Sequence, residues 1–208
     1  MQKKIIVAGI GPGGKSYVTP AALEKIQKAE FLVGGKRALA DFANPEQIAF
    51  PITADLNSVA KFISEKLLLG DVTVMVSGDP GYYSLLPFLK KNFPETFIEV
   101  IPSISAMQLA FAKLSLSWEG ALLFSFHGRR PKDSDLKFET GKVLGLLTDA
   151  EFNSTTISKI LLELGWKKNS GLAICSKLSY PEEKIIVTTL NEAIGGEEIK
   201  HCILIVGF

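Results

Sequence analysis

Residues 76–84 read Val76-Ser77-Gly78-Asp79-Pro80-Gly81-Tyr82-Tyr83-Ser84, and they end the apolar, β-branched run that begins at Asp71. Such a run is typical of a central strand in a parallel sheet, which is buried on both faces. The glycines and the proline predict that the strand stops here, at the edge where open parallel sheets bind ligands. The loop could bring bare backbone and the carboxylate of Asp79 to a ligand. The alternative is a tight turn in which Asp79 accepts hydrogen bonds from its own backbone.

The composition limits the class of protein. The 208 residues are 47% hydrophobic and 22% charged, which fits one or two globular domains with a sizeable core. The formal net charge is +1, so no overall field favours nucleic acid or a membrane surface. No apolar run reaches the roughly 18 residues that a membrane-spanning helix needs. Cys175 and Cys202 lie in apolar, strand-like runs, which predicts free, buried thiols. We therefore expect a cytoplasmic enzyme or binding protein.

Strands and helices alternate along the first half of the chain, which predicts an N-terminal α/β domain of residues 1–114 with a mostly parallel sheet. One predicted helix begins at Pro20 with Thr19 as its N-cap. The last predicted helix of this domain is the apolar segment 103–114.

The apolar helical pattern stops at residues 115–120, where serines and a glycine interrupt it, and we expect a C-terminal α/β domain at 120–208. Its strand-like runs at 184–190 and 202–206 are separated by only a short helix and a Gly-Gly turn, which favours a mixed sheet. Two further helices are predicted with adjacent candidates for the N-cap: Asn57 or Ser58, and Ser154 or Thr155.

The first predicted strand runs into Gly9-Ile10-Gly11-Pro12-Gly13-Gly14, which formally matches the G-x-G-x-x-G pattern of dinucleotide-binding folds. The following helix starts too late for its N-terminus to meet a pyrophosphate. Pro12 removes an amide, and Gly34-Gly35-Lys36 after the second strand offers no acid for a ribose hydroxyl. The loop suits close packing against a flat, less anionic ligand, and a plain glycine turn is the alternative.

Three motifs together resemble the tetrapyrrole (corrin/porphyrin) methylase family over essentially the whole chain. They are Gly-Ile-Gly-Pro-Gly at 9–13, Ser-Gly-Asp-Pro-Gly at 77–81 and Pro102-Ser103-Ile104-Ser105-Ala106. The segment Phe126-His127-Gly128-Arg129 narrows the resemblance to members that methylate C(5) of a precorrin or cobalt-precorrin in cobalamin biosynthesis. The resemblance implies two α/β domains with the active-site cleft between them, a homodimer, S-adenosylmethionine as cofactor and a tetrapyrrole (cobalt-precorrin) substrate.

The resemblance also implies a set of site residues in this sequence. Tyr82-Tyr83 stands where the family commonly has Asp-Thr, so no side-chain role is carried over to this pair. The positions that match the family's cofactor-binding residues are Pro12, Gly78, Asp79, Tyr83, Ser84, Ser105, Ala106, Leu147 and Thr148.

The residues fit methyl transfer independently of the resemblance. A sulfonium methyl group is already activated and a reduced tetrapyrrole carbon is enamine-like, so catalysis is mostly positioning and exclusion of water. His127 is a candidate proton acceptor or substrate ligand, and Arg129 and Arg130 are candidates for pairing with acetate and propionate groups. The alternatives are a structural histidine and a solvated basic turn. A sibling methylase acting at another ring carbon and a nucleotide-binding module without catalysis stay open.

Overall fold

Five strands of the first half of the chain pair in parallel in the computed structural model, which describes residues 3–208. These strands are β1 (Ile5–Gly9), β2 (Phe31–Gly34), β3 (Ile48–Pro51), β4 (Val72–Val76) and β5 (Ile98–Ile101). Their order across the sheet is β3-β2-β4-β1-β5, which places β4 in the middle. Every residue of β1, β2 and β4 is buried, as expected for strands covered on both faces. The predicted parallel sheet is confirmed.

Helices cover both faces of this sheet. They are α1 (Pro20–Lys28), α2 (Lys36–Phe42), α3 (Leu56–Leu67) and α4 (Leu86–Asn92). Residues of α1 and α2 share one apolar cluster, which includes Ile26 and Ala38, while α3 and α4 contribute Ile63 and Leu89 to the other. Thr19 caps α1 as predicted, accepting the Ala22 N–H at 3.2 Å.

A mixed sheet forms in the second half of the chain, as predicted. Its strands are β6 (Leu122–Ser125), β7 (Leu144–Leu147), β8 (Gly171–Ser176), β9 (Lys184–Thr189) and β10 (Cys202–Val206). The order is β6-β7-β10-β8-β9, with β6 and β7 parallel and the other pairs antiparallel. Cys175 and Cys202 are free and buried, which confirms the expectation for the thiols.

Four helices accompany this sheet. They are α5 (Ala106–Lys113), α6 (Asp133–Leu136), α7 (Ser154–Glu163) and α8 (Leu190–Gly195). Helices α7 and α8 share one apolar cluster with the sheet, through Leu161 and Leu190 among others. Helix α5 packs on β7 and β10, where Gly145 makes room for it: a Cβ atom at Gly145 would lie 2.6 Å from the Met107 Sδ atom.

The chain divides into two compact units after Ser105, so helix α5 falls in the second unit. The predicted helix start at residue 103 is wrong, because the helix begins at Ala106. The predicted N-caps of α3 and α7 are also wrong. Asp55 and Asn153 fill these positions, and each carboxylate or amide oxygen accepts two backbone N–H groups. Within residues 3–208, no helix has the length and apolar character needed to cross a bilayer.

Candidate functional site

Three loops of the first unit meet at the carboxyl end of β1. The Gly78 N–H donates to the Gly11 carbonyl at 2.8 Å, which joins the loops after β1 and β4. Both glycines have positive φ, 75° for Gly11 and 69° for Gly78, a conformation that disfavours other residues. A Cβ atom at Gly9 would lie 2.7 Å from the Ser103 Cβ atom and 2.8 Å from the Gly78 carbonyl oxygen. The loops therefore close on each other only because glycine stands at this point.

Asp79 ties the loop after β4 to the loop after β5. Its Oδ2 atom accepts the Ser103 N–H at 2.9 Å, and its Oδ1 atom accepts the Gly81 N–H at 2.7 Å. The hydrogen bond that a tight turn requires is therefore present, and the second one reaches the loop after β5, on the far side of strand β1. The carboxylate therefore holds these loops together at this edge of the sheet.

The remaining candidates of this part of the chain lie along the same three loops, except Ala106, with which the second unit begins. The Ser84 hydroxyl donates to the Pro80 carbonyl and accepts the Leu86 N–H at 3.2 Å, so it shapes the start of α4. Tyr83 is 45% exposed. Pro12 is half-buried between Gly11 and Gly13, Ser105 is buried, and Ala106 opens α5.

In the second unit, the carboxyl ends of β6, β7 and β8 share one edge. Strands β7 and β8 are both antiparallel to β10 and therefore run in the same direction, and β6 is parallel to β7. His127, Thr148 and the loop after Ser176 consequently follow strands that end at this edge.

Asp149 joins two of these loops. Its Oδ2 atom accepts the Gly128 N–H at 2.9 Å, and its Oδ1 atom accepts the N–H groups of Glu151 and Phe152 at 2.9 and 2.7 Å. These bonds, that of Gly128 most of all, hold the pKa of the Asp149 carboxyl below its ordinary value, and the charge of His127 adds to the effect. The loop that carries His127 is thus fixed to the end of β7.

The Thr148 hydroxyl and the Leu147 carbonyl are engaged in hydrogen bonds within the second unit. The Thr148 hydroxyl donates to the Cys202 carbonyl at 2.9 Å and accepts the Cys202 N–H at 2.7 Å. The Leu147 carbonyl accepts the Phe126 N–H at 2.8 Å. Any ligand contact at these two residues therefore falls to backbone groups that these bonds leave available.

The basic turn after β6 is exposed. His127 is exposed, and its backbone N–H donates to the Ser125 hydroxyl at 3.1 Å. The Arg130 guanidinium pairs with the Asp133 carboxylate at 2.8 Å, so a substrate carboxylate would have to share or replace that partner. Arg129 is exposed next to it, and its N–H donates to the Phe126 carbonyl at 3.4 Å.

Sequence reasoning missed the loop between β8 and β9. Lys177 and Ser179 both have positive φ there, at 49° and 70°. The Glu183 carboxylate accepts the Ser179 N–H at 2.7 Å and pairs with the Lys113 ammonium at 2.7 Å. This ammonium group is the main reason that the pKa of Glu183 lies below its ordinary value. Because neither strained residue is glycine, no sequence signal marks the loop.

The chain is similar to proteins of known activity. The family model of the tetrapyrrole (corrin/porphyrin) methylases matches residues 4–194. A probable cobalt-precorrin-7 C(5)-methyltransferase of Methanocaldococcus jannaschii is 31% identical over 202 residues, or 93% of this chain and 92% of the relative. The cobalt-precorrin-7 C(5)-methyltransferase of Salmonella typhimurium is 32% identical over 181 residues, which are 87% of this chain and 88% of the relative.

A solved structure shares the fold. Uroporphyrin-III C-methyltransferase from Thermus thermophilus, in complex with S-adenosylhomocysteine, superposes with a TM-score of 0.79. The match covers 98% of this chain and 92% of that one at 17% identity, so the similarity is one of fold.

Proposed function

This chain belongs to the tetrapyrrole (corrin/porphyrin) methylase family, and we propose that it transfers a methyl group from S-adenosylmethionine to C(5) of cobalt-precorrin-7 in cobalamin biosynthesis. The observation that carries the proposal is the similarity to two C(5)-methyltransferases over 93% and 87% of the chain. The segment at 126–129, which resembles the C(5)-methylating members, supports the same ring position.

The first-unit loops fit the methyl donor. Glycine at 11 and 78 lets the loops after β1 and β4 join at the sheet edge. We infer that a flat adenosyl group lies against these loops, whose shape Asp79 maintains. We assign the donor to residues of the first unit and to the first residue of the second, namely Pro12, Gly78, Asp79, Tyr83, Ser84, Ser105 and Ala106. Leu147 and Thr148 stay predictions from the family resemblance.

Bound S-adenosylmethionine supplies a sulfonium methyl group that is already activated toward a carbon nucleophile. The protein therefore needs no nucleophile of its own, and its residues position the substrate and exclude water. His127 would accept a proton or hold the substrate, and Arg129 would pair with a substrate carboxylate. Arg130 joins this role only by sharing Asp133 with the substrate.

Incubation with methyl-labelled S-adenosylmethionine and a panel of cobalt-precorrins tests the proposal. We expect transfer to cobalt-precorrin-7 and to no other intermediate. Transfer to a different cobalt-precorrin would favour a sibling methylase. An absence of transfer, together with tight binding of S-adenosylhomocysteine in calorimetry, would favour a nucleotide-binding module without catalysis.

The assembly state is a further proposal. We propose a homodimer, which the family resemblance implies. Light scattering should give about twice the chain mass of 22.6 kDa, and a mass near 22.6 kDa at micromolar concentration would contradict it. The cytoplasmic location expected from the sequence stays a prediction.

A further inference from the structure

Tyr82 carries a hydroxyl group that the fold does not use. The residue lies in the loop after β4, three positions beyond Asp79, and its Oη atom is buried without a hydrogen-bond partner among residues 3–208. Nearly all buried polar groups in native proteins are paired, because leaving one unpaired costs its full desolvation penalty. Burial also raises the pKa of Tyr82, and Tyr83 adds to the rise, so the phenol stays a donor at neutral pH.

The packing of Tyr82 needs its ring but not its hydroxyl. The Tyr82 N–H donates to the Asp79 carbonyl at 3.1 Å, which fixes the backbone. The ring meets Tyr83 edge-on, with centroids 4.8 Å apart and planes at 76°. Phenylalanine would keep both contacts. The unpaired hydroxyl therefore lowers stability, and no hydrogen bond among residues 3–208 compensates for this loss.

Tyr83 packs against Tyr82 in the same loop, with the two rings in edge-on contact. Its φ of 47° lies in the left-handed region, where a residue other than glycine is strained, and its side chain is 45% exposed. A change of the Tyr83 backbone out of this region would relieve that strain and shift the ring that packs on Tyr82. Strain and an unpaired polar group therefore stand side by side in a loop already assigned to the methyl donor.

We propose that Tyr82 is a binding residue whose hydroxyl donates a hydrogen bond to an acceptor oxygen of S-adenosylmethionine when Tyr83 moves aside. The inference rests on the proposed function, because it takes S-adenosylmethionine as the ligand of this loop. It adds a side-chain role at a position to which the family resemblance carries none.

The variant Tyr82→Phe tests the inference by two measurements on the full chain. Thermal unfolding without ligand should show an unchanged or raised melting temperature, since an unpaired buried hydroxyl is removed. Calorimetry should show S-adenosylhomocysteine bound about 2- to 13-fold more weakly, the loss expected for one hydrogen bond. Thr73→Val is the matched control, because it deletes a buried hydroxyl near the other end of β4 and should leave this affinity unchanged.

Three results would overturn the inference. If the wild type binds S-adenosylhomocysteine and Tyr82→Phe binds it equally well, the hydroxyl has no ligand and the proposed function still stands. If the unliganded variant melts at a lower temperature, the hydroxyl has a partner in the free protein. If the wild type itself does not bind S-adenosylhomocysteine, the proposed function fails together with the inference.

Discussion

Replacing Asp79 by alanine should separate the two loops that its carboxylate holds together. The carboxylate accepts the N–H groups of Ser103 and Gly81, at 2.9 and 2.7 Å. A hydrogen bond to a charged group contributes about 1.5–3 kcal/mol, and the lower value applies because both amides can reach water once the carboxylate is gone. We therefore expect Asp79→Ala to lower the free energy of unfolding by about 3 kcal/mol. For a chain of this size that corresponds to a fall of roughly 6–12 °C in Tm.

Asp79→Asn should lose about half as much. The asparagine side chain keeps one acceptor oxygen, but its amide nitrogen is a donor and cannot accept the second N–H. Thermal unfolding followed by circular dichroism measures the stability, and calorimetry measures the affinity for S-adenosylhomocysteine. We expect an affinity loss of about tenfold or more in Asp79→Ala, because the misplaced loops carry Gly78 and Ser105.

Asp55→Ala is the matched control. Asp55 also accepts two backbone N–H groups through its carboxylate, at the N-cap of α3, so its loss should cost about 0.5–2 kcal/mol. It should leave the affinity for S-adenosylhomocysteine unchanged. An unchanged Tm in Asp79→Ala would refute the bracing role. A lowered Tm with normal affinity and turnover would show that Asp79 stabilises the turn and has no role in binding the cofactor.

Three further predictions concern the second unit. If His127 accepts a proton, His127→Ala should lower kcat by roughly 100-fold while the affinity for the cofactor is retained. A raised KM, seen also in Arg129→Ala, would instead indicate that His127 orients the substrate. Wild-type rates in His127→Ala would show that His127 is not part of the site. Because folding lowers the pKa of Asp149, its contribution to stability is present above the unfolded value of about 3.9 and is lost as the pH falls through the folded value. The Tm difference between wild type and Asp149→Asn should therefore be constant from pH 5 to 8 and shrink below about pH 4; a difference that grows on acidification would count against this. Burial raises the pKa of Cys175 to about 12 and of Cys202 to about 11, so a disulfide reagent at pH 8 should label neither thiol until the protein is denatured.

Strands whose burial is complete could be predicted closely from the sequence, whereas the helix caps were predicted correctly for α1 but not for α3 and α7. The predicted run at 202–206 coincides with β10, because five consecutive apolar residues are typical of a strand that is buried on both faces. The caps of α3 and α7 fell on Asp55, two residues before the first predicted candidate, and on Asn153, one residue before. Neighbouring polar residues differ by only tenths of a kcal/mol as caps, so the path of the chain from sheet to helix decides among them.

The start of helix α5 depends on a contact that no local pattern contains. Apolar and small residues make a helix from residue 103 reasonable, but the Ser103 N–H is taken by Asp79, 24 positions earlier in the chain. That bond fixes the Ser103 backbone to the loop after β4. The helix then begins at Ala106 and packs where Gly145 leaves space.

The candidate site follows the same division between local pattern and long-range contact. Glycine and proline mark the loops after β1 and β4 in the sequence, but they do not show what the acid beside them binds. Asp79 in the first unit accepts backbone N–H groups from the loops after β4 and β5, and Asp149 in the second accepts them from the loops after β6 and β7. A turn and a ligand site are therefore not exclusive interpretations of such an acid. The carboxylate that closes the turn also sets the distance between the two loops, and a ligand that lies on both loops depends on that distance.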